Sequence, residues 1–488
     1  MAGIAGVSEP NRTDIVTELI TAVECDGDAG TKVFDGEDAT QANAYSAARK
    51  PHLKPFETDN VVLDGEVFNW LELAPDSAPT SPIEAIYAAY CEHGPEFVKK
   101  LDGPFAVAIA TPNGVFLARD RIGIAPLYYG FHGDTLCYAS CAKALVGRVA
   151  DFSEFPPGHY YQPGKGLVKF ASIAEHEPID LPAVEIAQEL RRLLVQSLAK
   201  RADYYEMGCW LSGGLDSSAM AALAAKQCGR LRTFAVGMDG SPDVKFARQV
   251  ADFIGSRHYE KICTPKDLIS VLPDVIYNLE SFDALLIRSS VTNYLVAKMA
   301  SEHVPAALSG EGGDELFAGY EYLKDIETHK IPAELVDITN RLHNTALQRV
   351  DRCSKAHGLV ARVGFLDNDV LDYALRIPAE YKLYRDGATK GPGVEKWILR
   401  RALDGLLPEA VLERTKAKFW EGAGVTDHLA MHAESIISDR EFTARRKLPD
   451  GQTLNSKEEL YYYDIFRDRI GDVDEVSFVG RTKGAPVS

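Results

Sequence analysis

The sequence predicts an α/β protein with two domains. The first should be a layered α+β domain, and the second a doubly wound parallel sheet with a helical C-terminal part. The length of 488 residues exceeds the roughly 250–300 residues at which a single hydrophobic core stops growing. Short strands dominate the beginning of the chain, whereas strands and helices alternate after it. The predicted units are residues 1–170, residues 180–470 and a C-terminal tail at residues 471–488.

Short apolar runs predict the strands of the first domain. Turn formers, such as those at residues 111–114, separate these runs. Residues 84–93 have the spacing of a helix, which we expect to pack across a sheet. The composition changes at the Pro-Pro-Gly of residues 156–158, and a helix is predicted at residues 184–201. The runs predicted as strands are residues 60–63, 104–110, 115–118 and 135–139.

Strands and helices alternate in the second half of the chain. This alternation is typical of a parallel sheet with helices on both faces and ligands at the carboxyl ends of its strands. Beyond Asp314 we expect mostly helix, and residues 480–488 should form a frayed tail. The predicted strands are residues 207–211, 232–237, 258–262 and 306–309, and the predicted helices are residues 219–226, 244–253 and 266–279.

Residues 211–218, here named the Ser-Gly turn, join a predicted strand to a predicted helix. Gly213 and Gly214 let the backbone bend sharply and point its N–H groups at an anion on the helix N-terminus. No lysine follows them as it would in a loop that grips a transferred γ-phosphate. The pattern therefore favours adenylation of a carboxylate with loss of pyrophosphate, Asp216 holding Mg²⁺. The turn alone is equally consistent with an ordinary helix cap.

Charge and cysteine usage restrict the function classes. The 71 acidic residues outnumber the 53 basic ones, and the net charge of -18 argues against nucleic acid or an anionic membrane as partner. Apolar stretches fall short of the roughly 20 residues of a membrane span, and no signal peptide is evident. The eight cysteines include no C-x-x-C pair, which favours reduced thiols. We expect a cytoplasmic protein.

Several further segments resemble the asparagine synthetase and β-lactam synthetase family in the order that the family has them. The resemblance extends over nearly the whole chain. It implies a first domain of the N-terminal-nucleophile hydrolase type, related to glutamine amidotransferases, and a second domain of the ATP pyrophosphatase type. It also makes a homodimer the expected assembly. The segments are residues 234–243, 308–317, 365–367, 395–400 and 414–424.

The resemblance implies a role for each residue of the candidate site. ATP would be bound by Leu211, Ser212, Gly213, Gly214, Asp216, Ser217, Ser218, Val236, Gly237 and Gly310. Asp216 and Asp314 would hold Mg²⁺, Lys396 would meet pyrophosphate, Lys416 would stabilise the α-phosphate, and Glu311 would act as base or amine ligand. Substrate would contact Asp283, Arg288 and Glu311. Read singly, Lys396 could be a solvated helix lysine, Asp314 a helix cap and Glu311 a loop carboxylate.

The first domain departs from the glutamine-using members of this family. Those members carry a nucleophilic cysteine after the initiator methionine, where this chain has Ala2. Asp64 replaces the asparagine that supplies an oxyanion donor, and Pro82 replaces the aspartate that would bind the glutamine amine. A further binding segment of the family has no clear counterpart at residues 41–56. So many losses in one pocket favour natural divergence over an engineered change at Ala2, and predict a folded domain without glutaminase activity.

Residues at the predicted acyl site indicate different acid substrates. Glu311 matches asparagine synthetases, whereas β-lactam synthetases have a tyrosine there. Leu285 and Leu286 replace two threonines, which removes hydrogen bonds that a small polar amino acid would use. These leucines either adapt the pocket to a different carboxylic acid or simply pack on a helix face.

The predicted function is an ATP-dependent amide-forming ligase that releases AMP and pyrophosphate. ATP and Mg²⁺ are the expected cofactors, and a small carboxylic acid and ammonia or an amine are the expected partners. One alternative is asparagine synthesis from free ammonia, and another is intramolecular closure of the β-lactam synthetase kind. A sulfur-transferring tRNA enzyme is disfavoured by the acidic charge and the missing cysteine pair. The intact Asp216, Asp314, Lys396 and Lys416 argue against an inactive interaction protein.

Overall fold

The computed structural model describes residues 3–23, 28–46, 60–202, 206–414, 426–471, 473 and 476–483. Within these residues, no helix has both the length and the apolar character that a membrane span requires.

The first domain contains two antiparallel sheets. One has the strand order β2-β3-β1-β8-β7-β9 and the other β11-β10-β6-β5-β4. The strands are β1 (Gly3–Val7), β2 (Asp28–Asp35), β3 (Thr40–Ser46), β4 (Val61–Gly65), β5 (Phe105–Thr111), β6 (Gly114–Arg119), β7 (Tyr128–His132), β8 (Thr135–Ala139), β9 (Phe152–Glu154), β10 (His159–Gln162) and β11 (Gly166–Lys169). The helices are α1 (Thr13–Val23), α2 (Trp70–Leu73) and α3 (Pro82–His93).

Alternation along the strands builds four layers. Val62 of β4 packs with Ile4 and Leu117 in a cluster between the two sheets. Its neighbours Val61 and Leu63 face the other way and pack against α3. Successive side chains of a strand point to opposite faces, so one strand serves two cores. With α1 packed on the outside of the first sheet, the domain is a helix–sheet–sheet–helix sandwich.

The second domain is built on a five-stranded parallel sheet. Its strand order is β14-β13-β12-β15-β16. All residues of β12 and β15 are buried, as expected for strands with helices on both faces. The strands are β12 (Met207–Trp210), β13 (Arg232–Met238), β14 (Arg257–Cys263), β15 (Ala306–Ser309) and β16 (Val360–Val363), and a separate ribbon pairs β17 (Leu383–Tyr384) with β18 (Val394–Glu395).

Helices account for most of the second domain. They are α4 (Ala183–Arg201), α5 (Leu215–Ala225), α6 (Pro242–Ile254), α7 (Pro265–Ser270), α8 (Leu272–Leu279), α9 (Ala284–Ser301), α10 (Gly313–Leu316), α11 (Ile331–Asn340), α12 (Ala346–Lys355), α13 (Asn368–Arg376), α14 (Ala379–Lys382), α15 (Trp397–Ala402), α16 (Glu409–Leu412), α17 (Thr426–Ile436), α18 (Asp439–Arg445) and α19 (Lys457–Ile470).

The order of the parallel strands positions the site. The chain runs from β12 to β13 and β14 on one side, and β15 and β16 lie on the other side of β12. The order in which the chain adds strands to the sheet therefore reverses between β12 and β15, and we call this point the sheet reversal. Ligands of such sheets bind in the crevice at the carboxyl ends of the two strands that flank this reversal.

The predicted fold class is confirmed, but two details of the prediction are wrong, and one strand falls in a region that is otherwise mostly helical as predicted. The helix expected at residues 266–279 is two helices, α7 and α8, because Pro273 lacks the N–H that a continuous helix would need. Strand β16 lies in a region expected to be mostly helical. The tail is not frayed at residues 480–483, since Thr482 bonds to Asp283 and Lys483 pairs with Glu334.

Buried ion pairs join the two domains. Glu154 of β9 accepts hydrogen bonds from Arg119 at 2.8 Å and contacts His343 of the second domain at 2.7 Å. Burial alone would raise the pKa of Glu154, but the Arg119 charge and the His343 contact outweigh it and lower this pKa to about 2. The ionised carboxylate therefore stabilises the interface.

Replacing Glu154 with Gln should destabilise the protein at neutral pH. A carboxylate whose pKa falls on folding contributes stability that is present above its unfolded pKa and is lost as the pH falls through the folded value. We expect a loss of about 3 kcal/mol at pH 7 that shrinks between pH 4.5 and about 2. Calorimetric unfolding midpoints across this pH range measure it. The more exposed Glu189→Gln is the control and should cost less than about 1 kcal/mol.

Candidate active site

The Ser-Gly turn bends sharply at the carboxyl end of β12. Gly213 has a φ of +71°, and a Cβ there would lie 2.4 Å from Cβ of Phe246 and 2.5 Å from N of Ala247. Only glycine fits this position without strain. Gly214 is the N-cap of α5, so the first turn of that helix faces the crevice at the sheet reversal.

Hydroxyl groups hold the turn in place. Ser217 Oγ lies 3.0 Å from Ser212 Oγ and accepts a hydrogen bond from the N–H of Ser212 at 3.1 Å. Ser218 Oγ is buried and has no hydrogen-bond partner among the described residues. Buried hydroxyls are normally paired, and a polar ligand in the turn is one way to satisfy such a group.

The loop after β15 packs directly on the Ser-Gly turn. A Cβ on Gly310 would lie 2.7 Å from N of Ser217, and a Cβ on Gly313 would lie 2.5 Å from a carboxylate oxygen of Asp216. The absence of side chains at both positions lets the two backbones approach each other. As a result, Asp314 and Asp216 both contact one side chain, that of Lys396.

Lys396 bridges the two aspartates. Its Nζ lies 2.5 Å from Oδ1 of Asp314 and pairs with Asp216 as well. Lys396 is 2% exposed, so the alternative of a solvated helix lysine is wrong. Burial alone would lower the pKa of Lys396, but the charges of Asp216 and Asp314 raise it above its ordinary value. Lys396 is also the N-cap residue of α15, and its φ is +55°.

Val236 and Gly237 lie near the carboxyl end of β13, beside β12. A Cβ on Gly237 would lie 2.6 Å from Oγ of Ser241, which precedes α6. In α6, Asp243 pairs with Arg414 at 2.5 Å, and the Arg414 guanidinium lies 4.3 Å above the ring of Phe246. Arg414 is therefore fixed to α6, the helix that contacts Gly213.

Two predicted residues, Ala2 and Lys416, lie outside the described residues. The roles assigned to them stay predictions.

Glu311 contacts Arg349, a residue that the sequence analysis missed. The Arg349 side chain comes from α12 and forms an ion pair with Glu311, and both are largely buried. Arg349 stands 38 residues after Glu311 in a segment without a local motif, so only the tertiary structure brings the two together.

Glu315 is a second residue that sequence reasoning missed. It is buried and accepts a hydrogen bond from Tyr320. Burial and the charges of Asp314 and Glu311 raise the pKa of Glu315 to about 7. The loop after β15 thus gathers three acidic side chains beside one lysine and one arginine.

Asp283 and Arg288 are engaged in structural contacts. Asp283 caps α9 by accepting from the N–H of Leu286 at 2.8 Å, and it also accepts from Thr482 at 2.9 Å. An aspartate directly before an apolar run is a helix-start signal, which could have been recognised in the sequence. Arg288 pairs through two nitrogens with the buried Glu458 of α19. Their predicted contacts with substrate stay predictions.

The two leucines of the acyl site differ in burial. Leu286 is buried in the core, whereas Leu285, one residue before it on α9, is only partly buried.

The departures in the first domain have structural explanations. Pro82 occupies the first position of α3, behind the N-cap Ser81, where a missing N–H costs nothing. Asp64 is 1% exposed and accepts from Ser140 Oγ at 2.8 Å. Lys355 of α12 lies 2.9 Å from both oxygens of Asp64 and neutralises the carboxylate. The sequence analysis did not identify Lys355.

Substituting Gly213 with Ala should weaken nucleotide binding. The new Cβ would collide with backbone of α6 and would require a left-handed conformation, so we expect ATP affinity to fall at least about tenfold. Gly229→Ala is the matched control, because Gly229 is exposed, its φ is not in the left-handed region and no atom lies within 4 Å of its Cβ. Calorimetric titration with ATP distinguishes the two. Equal losses in both variants would contradict this assignment.

Substituting Lys396 with Gln should leave two carboxylates facing each other without their cation. Removing one partner of a buried ion pair typically costs about 3–5 kcal/mol. We expect a lower thermal midpoint and at least about a hundredfold loss of ATP-dependent pyrophosphate release. Lys390→Gln, at an exposed position between β17 and β18, should behave like the wild type. Full activity of the Lys396 variant would exclude a role in the reaction.

Comparison with known proteins identifies the family. A family model described as asparagine synthase matches residues 189–335 and 326–476, and one described as a glutamine amidotransferase domain matches residues 1–159. Asparagine synthetase [glutamine-hydrolyzing] 3 of Arabidopsis thaliana is 36% identical over 449 residues, which cover 84% of this chain and 75% of that protein. A probable asparagine synthetase of Schizosaccharomyces pombe is 34% identical, with 83% and 80% covered.

These matches confirm the resemblance inferred from the sequence motifs. Members of the family use ATP, an amino-acid substrate, and ammonia or glutamine. The chain belongs to the asparagine synthetase family and is an AMP-forming, ATP-dependent carbon–nitrogen ligase.

Proposed function

We propose that this protein joins a carboxylic acid to ammonia or a substrate amine through an acyl-adenylate, and that it does not hydrolyse glutamine. The observation that carries the proposal is the buried Asp216–Lys396–Asp314 cluster beside the Ser-Gly turn. It lies at the reversal of the parallel sheet, where nucleotides bind in this kind of fold.

The Ser-Gly turn suits the outer phosphates of ATP. The first turn of α5 offers N–H groups and the helix dipole, and Ser212, Ser217 and Ser218 offer hydroxyls. When the acid's oxygen attacks the α-phosphorus, the bond to the β-phosphate breaks and pyrophosphate departs. Lys396 is placed to stabilise the negative charge that the departing group gains.

The site also fits Mg²⁺. This ion takes oxygen ligands and is typically held by one or two carboxylates together with substrate phosphates. Asp216 and Asp314 supply two carboxylates, and no larger cluster of metal-binding side chains occurs among the described residues. When bound, Mg²⁺ would draw negative charge from the phosphates. Before Mg²⁺ binds, Lys396 would keep the two aspartates close together.

The second half of the reaction is proposed to involve Glu311 and Lys416. The amine nitrogen attacks the acyl carbon, the bond to AMP breaks, and the nitrogen loses a proton. Glu311 is a carboxylate suited to accept that proton, and Arg349 holds it. Lys416 would stabilise the α-phosphate as AMP departs, a role that rests on family resemblance.

Loss of glutaminase activity is supported by three residues. The methyl group of Ala2 offers no nucleophile. Asp64 brings a negative charge where an oxyanion would need a donor, and its oxygens are already engaged by Lys355. Pro82 begins a helix and has no group to bind an amine. The relatives named above are described as glutamine-hydrolyzing, and we propose that this chain differs from them in this respect.

Asparagine synthesis from free ammonia is the second candidate function. Glu311 and the names of the curated relatives favour it, whereas Leu285 and Leu286 favour an acid less polar than aspartate. Closure of a β-lactam is less well supported, because Glu311 stands where β-lactam synthetases have a tyrosine. A cytoplasmic location, a homodimer and the lack of a nucleic-acid partner stay predictions.

Pyrophosphate release against a panel of carboxylic acids, with and without ammonium, tests the proposal. The panel should include aspartate and apolar amino acids, and the nucleotide product should be AMP. Asp216→Asn is the control and should abolish release, because it removes a carboxylate that would hold Mg²⁺. Formation of ADP in place of AMP would contradict the mechanism.

Glutamine should not serve as nitrogen donor. Incubation with glutamine and ATP should yield no glutamate above the spontaneous rate, whether or not an acid substrate is present. Glutamate release at a rate typical of amidotransferases would overturn this part of the proposal, while leaving the adenylation chemistry intact.

A further inference from the structure

Helix α12 carries a buried cation into the first domain. Lys355, its last residue, lies 2.9 Å from both oxygens of Asp64 on β4 and 3.0 Å from Asp351 on its own helix. Asp64 also accepts from Ser140, whose Oγ in turn accepts from the N–H of Ile4 on β1. The ion pair thereby ties the end of α12 to both sheets of the first domain.

A second ion pair holds the same half of α12. Arg352 is 3.2 Å from Glu280, the buried residue that ends α8. The carboxylate of Glu280 accepts from the backbone N–H groups of Ala142 and Lys143 in the first domain, at 3.1 and 2.7 Å. The C-terminal half of α12 is thus held to the first domain twice, directly through Lys355 and indirectly through Arg352 and Glu280.

The opposite half of α12 reaches the candidate active site. Arg349 pairs with Glu311, and Gln348 donates to the carbonyl oxygen of Leu279 at 2.6 Å. Arg349 and Lys355 are six residues apart, which corresponds to about 9 Å along a helix axis. A single short, rigid element therefore links Asp64 to Glu311.

We propose that the first domain, having lost its own chemistry, serves as a brace that positions Arg349 and Glu311 through α12. Asp64 and Lys355 are the positioning residues that anchor the brace. This inference rests on the proposed role of Glu311 in amide formation. It explains why a lysine accompanies the buried Asp64, since this carboxylate without Lys355 would be an uncompensated buried charge.

Hydrogen–deuterium exchange tests the mechanical link without any substrate. Asp64→Asn should increase exchange in α12 and in residues 309–316, which contain Glu311. Arg121→Gln is the matched control, since Arg121 also joins the domains but pairs with Asp372 of α13 at 2.6 Å. It should leave residues 309–316 unchanged. Unchanged exchange at residues 309–316 in the Asp64 variant, or equal increases in both variants, would overturn the brace.

The double variant Asp64→Asn/Lys355→Met removes both charges of the pair. It provides a second test in case Asp64→Asn alone does not fold. It should also loosen residues 309–316 while keeping a cooperative thermal transition. If its exchange at these residues equals that of the wild type, the ion pair does not position the loop.

The rates of the two half-reactions distinguish the brace from a general loss of stability, which would lower both rates together. The probes are the most active acid of the panel above and hydroxylamine as the nucleophile. Asp64→Asn should leave ATP–pyrophosphate exchange within about twofold, and slow hydroxamate formation about tenfold or more. A parallel fall in both half-reactions would contradict the brace. An inactive wild type would instead refute the proposed function. Hydrogen–deuterium exchange would still test the brace, because it needs no substrate.

Discussion

One buried ammonium group between two carboxylates determines the geometry of the candidate site. Lys396 joins Asp216, which follows β12, to Asp314, which follows β15. These strands are neighbours in the sheet, but almost a hundred residues separate the two aspartates in the chain. Two carboxylates at this spacing would repel each other in a dry environment, so the lysine is a condition for their proximity. The glycines at 310 and 313 serve the same end by letting the two loops touch.

Charge compensation also unites the two domains. Asp64 with Lys355, Glu154 with Arg119 and His343, and Glu280 with Arg352 are all largely buried at or near the interface. Breaking such pairs is costly, whereas exposed pairs contribute little. These pairs therefore stabilise the association of the first domain with the second, independently of any chemistry in the first domain. Its persistence needs no glutaminase activity to explain it.

The parts of the structure that local pattern controls could be predicted from the sequence. The strand–turn–helix at residues 207–225 was evident, because an apolar run, two glycines and a run of helix formers follow each other. Lys355 and Arg349 could not be found this way. Their importance depends on partners 291 and 38 residues away, and no short-range pattern encodes such a distance. Strand β16 escaped detection because its four residues lack alternation and its pairing partner β15 precedes it by more than fifty residues.

The contact between Thr482 and Asp283 has a practical consequence. Asp283 caps the N-terminus of α9, the helix that carries Leu285 and Arg288, and Thr482 donates to the same carboxylate. Thr482 thus helps to hold the N-terminus of α9 in place. A deletion that removes Thr482 would therefore take away two hydrogen bonds to the residue that caps α9. Substrate preferences measured on a form without Thr482 should be compared with those of a form that retains it.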